Sequence, residues 1–133
     1  MNTKCEQTNF GENAEIISVY KRAQAIEDGF LVDVSKDARE ADFKYPVAIT
    51  RVAWGKYVEI PTGITDQDIA GRLWDILWML RHYIKISSVD DRIMFRLYVR
   101  NDNRKAKMVT LKALCGPGDD AEPVITIMLP EED

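Results

Sequence analysis

The chain has 133 residues, a formal net charge of −4, and apolar and charged fractions of 46% and 30%. Those values fit one soluble domain with a single core and exclude a largely disordered chain. The acidic balance argues against a general affinity for nucleic acid, and no stretch approaches the roughly 20 apolar residues of a membrane span.

Residues 1–15 are polar and Asn-rich and are expected to form a flexible tail. They contain no apolar run of the secretory-leader kind, so a cytoplasmic location is expected. Cys5 and Cys115 are too isolated for a disulfide framework or a metal-ligand set, and both are expected as reduced thiols. No cofactor is expected. Residues 16–130 read as a single α+β domain and 131–133 as its acidic end.

Ile16–Val19 suits a short strand or the start of a helix. Lys21–Asp28 has good helix formers and stops at Gly29, the residue that most readily takes the left-handed cap conformation. Phe30–Val34 reads as a short strand, and Ser35 as the cap of a helix over Lys36–Ala41. Tyr45-Pro46 breaks that helix. Val47–Val58 admits two readings: Val47, Ile49 and Val52 favour a strand, whereas Pro46 followed by Ile49, Val52 and Ala53 favours a helix. The helix is preferred.

Thr65–Ile86 is the strongest element. Thr65 and Asp68 have capping-box spacing, and Ile69, Leu73, Ile76, Leu80 and Tyr83 recur at steps of four and three. Leu77 and Ile84 widen the stripe and Trp74 flanks it. Trp78 projects nearly opposite, among Gly71, Asp75, His82 and Lys85. A helix apolar on almost every side is expected to be buried on more than one face. Trp78 is therefore read as core covered by the N-terminal half, the alternative being a patch for a partner or a second copy of the chain.

After Ser87 the period becomes two. Ile93–Val99, Met108–Ala113 and Val124–Leu129 alternate, which predicts an antiparallel meander of three or more strands with one buried face. The fold class is thus α+β, with a C-terminal antiparallel sheet packed on the long central helix and short N-terminal helices and a strand around it.

Two surfaces could carry chemistry besides Trp78. The loop Cys115–Pro123 concentrates Asp119, Asp120 and Glu122, an oxygen-rich group without the regular spacing of a calcium loop. A solvated hairpin is the plainer reading, a partner contact the functional one, and no metal is expected. The outward sheet face carries Arg96, Tyr98, Arg100 and Lys112, with Arg104, Lys105 and Lys107 beside it. Basic groups with one aromatic resemble a phosphate- or RNA-binding surface, although a plain hydrated face fits the net acidic chain better. His82 has no acid-base partner within reach in a regular helix, and no nucleotide or nucleophile motif occurs.

Ile16–Thr50, GRLWDILWM and KMVTLKALCGPGDDAEPVITIMLPEED resemble a family of small uncharacterised bacterial proteins carried largely on plasmids, conjugative elements and prophages. The resemblance spans most of residues 16–133. This chain departs at Lys21, where the family pattern has threonine and a helix N-cap, and at Asp42, where it has glycine. The resemblance implies a mobile-element accessory protein, and such proteins often bind or inhibit host factors. The expected function is a non-enzymatic binding protein for a host protein, regulatory or anti-defence in role. One alternative is a small nuclease- or toxin-like enzyme using Arg96, Tyr98, Arg100 and His82. Another is a nucleotide or signalling-molecule binder using Arg22, Lys44 and Arg51.

Overall fold

The computed structural model describes residues 21–65, 67–86, 91–102 and 104–132. The expected tail, the run Ile16–Val19 and Cys5 lie outside them. The first helix, α1 (Arg22–Glu27), ends at Gly29, whose φ of +87° only glycine adopts without strain. β1 (Leu31–Asp33) and α2 (Ser35–Glu40) follow. Ser35 does not cap α2. Its hydroxyl donates to Asp33 Oδ1 at 2.7 Å and accepts from the Val47 amide at 3.1 Å, tying the end of β1 to the next strand. After α2 the chain turns at Asp42, whose φ of 75° lies in the left-handed region that asparagine, aspartate and above all glycine tolerate.

Val47–Val58, read as a helix, is a strand and a helix in immediate succession: β2 (Val47–Thr50) and α3 (Arg51–Tyr57). Both sets of sequence signals were real, and the boundary falls at Thr50. Its hydroxyl accepts from the Ala53 amide at 3.3 Å, so the last strand residue is also the helix cap. The long helix, α4 (Ile69–Ile86), starts later than the capping-box pattern indicates. Asp68 rather than Thr65 is its cap, accepting from the Gly71 amide at 2.7 Å.

β3 (Arg92–Val99), β4 (Lys107–Pro117) and β5 (Pro123–Met128) form the expected antiparallel meander. The N-terminal half extends it. β2 pairs in parallel with β5, Val47 opposite Ile125, and β1 pairs antiparallel with β2. The result is a five-stranded mixed sheet ordered β1-β2-β5-β4-β3.

The register aligns Val32, Ile49, Ile127, Ala113 and Ile93 in one row across one face. On that face α2, α3 and α4 cover a single core in which Leu73, Ile76, Leu77 and Leu80 meet Phe95, Leu111 and Ile127. Tyr83 closes its end, with its ring centroid 6.2 Å from that of Phe95. α1 lies on the opposite face, where Ala25, Leu31, Val124 and Met128 line a groove beside it.

α4 is buried on one side only, contrary to the sequence expectation. Ile69 and Ile84 are exposed, and Trp78, read as core, is 52% exposed. The physical reason is the position of α2 and α3, which pack against β1, β2 and β5, so that among the described residues nothing covers the outer side of α4.

Candidate functional site

The acidic loop is built into the fold through α1. The hairpin closes with the Gly118 amide on the Glu122 carbonyl at 2.6 Å and the Ala121 amide on Gly118 at 3.1 Å. This aims Asp119 at the start of α1, where its two carboxylate oxygens accept from the amides of Arg22 at 2.7 Å and Ala23 at 2.9 Å. Lys21 makes no side-chain cap, so Asp119 fills that role from the other end of the chain. The bond from Ala23 holds the Asp119 carboxyl below its ordinary range; the Arg22 amide and the charges of Lys21 and Arg22 add to it, against an opposing push from burial.

Arg22 reinforces the joint. Its guanidinium donates to Thr126 Oγ1 at 2.7 Å and to the Ile125 carbonyl at 2.8 Å. Burial lowers its pKa, while Asp33, Asp119 and Glu122 oppose that shift. Glu122 folds back on the loop, accepting from the Asp120 amide at 3.0 Å, and all three loop acids are exposed. Among the described residues no group of three or more His, Cys, Asp or Glu could hold a metal ion.

The open face of the sheet is a different surface. Arg96 and Tyr98 stand there beside Met94 and Met108, with Tyr98 directly across from Met108. Tyr98 is 64% exposed, Met108 51% and Met94 46%. Lys112, counted among the outward basic groups, is buried instead, its ammonium donating to the Glu132 carbonyl. Arg100 leaves the face altogether and donates to the Thr65 carbonyl, near the start of α4. The sequence pointed to the cations here but not to Met94 and Met108. Their outward position in the alternation was the available signal.

The third surface is the outer side of α4. Trp74 and Trp78 stack with centroids 6.1 Å apart and planes at 17°. The Arg81 guanidinium sits 5.7 Å from the Trp78 ring and pairs with Asp42 at 2.9 Å. His82 is exposed on this same helix, across the sheet from Arg96 and Tyr98. These three side chains do not converge.

Neither do Arg22, Lys44 and Arg51: Arg22 is held at Thr126 and Arg51 pairs with Glu59 at 2.9 Å. Cys115 is a half-buried free thiol packed against the core. Sequence reasoning also missed Arg72, a 7% exposed arginine on the core side of α4. It donates to the carbonyls of Tyr57, Val58 and Arg100 and to the side chains of Gln67 and Asn101. No helix among the described residues is long and apolar enough to cross a membrane.

Neither the curated proteins nor the solved structures contain a match to this chain. A family model does match, over residues 7–133, and the chain belongs to that family, the family of unknown function DUF6573.

Proposed function

We propose that the protein is a non-enzymatic binding protein that docks a host protein on the open face of its sheet. The role fits a mobile-element accessory factor with a regulatory or anti-defence effect. The observation that carries the reading is the cluster Met94, Arg96, Tyr98 and Met108, exposed together on regular strands. Methionine, tyrosine and arginine are enriched in protein interfaces, and a rigid sheet presents them without a backbone ordering cost. Arg96 and the neighbouring Arg104, Lys105 and Lys107, all exposed, favour a partner surface with an acidic rim. Single-stranded nucleic acid fits less well, because Tyr98 is the lone aromatic of the cluster and the chain carries a net charge of −4.

The test is capture from bacterial lysate by wild type, by Arg96→Glu/Tyr98→Ala and by Asp120→Ala. A partner retained by Asp120→Ala, and bound at least about tenfold more weakly by the sheet-face variant, is the expected result for hot-spot residues. Equal capture by all three sinks the assignment. Binding of a single-stranded RNA that Arg96→Glu abolishes, without any captured protein, replaces the partner with nucleic acid.

A further inference from the structure

The outer side of α4 carries Asp75, Trp78, His82 and Lys85, all exposed and separated by three, four and three residues. That spacing draws one seam along a helix, of the kind two helices share when they pack side by side. Its centre is aromatic and apolar: Trp78 is 52% and Trp74 41% exposed, and the two rings stack. Arg81, held by Asp42, braces the Trp78 ring from the flank, so the indole is fixed in an exposed position rather than folded away. Paired exposed tryptophans are uncommon on a surface that meets only water.

The ends of the seam differ in charge. Asp75 stands at one end, and Asp37, Glu40 and Asp68 gather with it and Trp74 around a shallow depression. Lys85 stands at the other end. Asp75 makes no ion pair among the described residues, and partial burial pushes its carboxyl up from the ordinary range. An acidic end, an aromatic centre and a basic end match a reversed copy of the same seam.

We propose that this face is the interface of a homodimer in which two copies of α4 pack antiparallel about a two-fold axis. Asp75 of each copy then lies opposite Lys85 of the other, and Trp78 opposite His82. The contact is isologous, so each complementary pair occurs twice. A parallel arrangement instead sets Asp75 on Asp75 and Lys85 on Lys85, like charges in register, and is disfavoured. Antiparallel packing also brings opposite ends of the two helix dipoles together. The interface rests on α4 alone and does not depend on what docks on the sheet face across the molecule.

Sedimentation of the full chain from about 1 to about 100 µM tests this, a range that spans the weaker associations of ordinary-sized interfaces. Wild type is expected at twice the monomer mass. Asp75→Lys and Lys85→Asp, each alone, are expected to raise the dimer dissociation constant at least about tenfold, because each sets like charges opposite one another twice. The combined exchange Asp75→Lys/Lys85→Asp restores opposite signs and is expected to return the constant to within about threefold of wild type, by double-mutant logic. Both substituted positions are exposed, and matching far-UV circular dichroism verifies folding. A wild type that stays monomeric throughout overturns the proposal. So does a combined exchange that remains as dissociated as the single reversals.

Discussion

Asp119 lies 97 residues from Arg22 in sequence and yet caps its helix. A six-residue helix is too short to persist on its own propensity, so α1 depends on such tertiary contacts. Asp119→Ala is expected to cost about 1 kcal/mol, the usual worth of a helix cap, and Asp119→Asn less, since the amide keeps one acceptor. The pH dependence follows from the depressed carboxyl. A group more acidic in the folded state contributes its stability above the unfolded pKa and loses it as pH falls through the folded one. The advantage of wild type over Asp119→Asn in urea unfolding should therefore be full at neutral pH and fade below about pH 4. A constant difference across that range would remove the charge from the account. A hairpin loop between the last two strands was legible, but its glycines suggest a reversal from Gly116 onward. Gly116 and Pro117 are still paired in β4, and the chain turns over residues 118–122. The fate of the loop aspartates was not legible. Local spacing shows three acids together, whereas the amides that one of them meets belong to the far end of the chain.

At the level of elements, legibility followed the length of a single period. α4 and the three C-terminal strands each hold one period long enough to be read, and the structure places them accordingly. β2 and α3 last four and seven residues and change period at Thr50 without a turn between them. A window spanning both shows each signal diluted by the other. The start of α4 was misread for a related reason: Asp68 fits the third position of a box begun by Thr65 and equally well the cap itself. Arg72 lay beyond any periodic reading, because its acceptors come from the end of α3, the approach to α4 and the end of β3. It clamps those three elements with no carboxylate among its partners in the described residues. Arg72→Met should cost about 1–3 kcal/mol in urea unfolding, since it strands the buried Val58 carbonyl and leaves the part-buried acceptors to solvent. Arg72→Lys should recover little of this, because an ammonium cannot span the fan of acceptors that the guanidinium reaches. Near wild-type stability for either variant would show that solvent replaces the clamp.

For the whole molecule the sequence established a helix-on-sheet domain but assigned the cover to the wrong place. Alternation tells which strand positions share a face, and it cannot tell whether short helices lie over the sheet or over another helix. Here α2, α3 and α4 share one face, and the described residues leave uncovered the outer side of α4 and the β3–β4 part of the far sheet face. Both proposed contacts use surfaces that this arrangement exposes. The same arrangement makes one core answer for nearly all of the fold, since residues from α2 to β5 contribute to a single cluster around Phe95. Phe95 is fully buried and touches the end of α4 through Tyr83. Phe95→Ala should cost about 3–5 kcal/mol, as large-to-small changes at filled core sites do. The loss should register equally in far-UV circular dichroism and in tryptophan fluorescence, although Trp74 and Trp78 sit outside the core, because a domain with one core unfolds as one unit. If two copies associate through α4, the transition midpoint of both proteins should also rise with protein concentration. Divergent midpoints from the two probes would mean that α4 leaves the sheet before the strands separate, and the single-core account would fail.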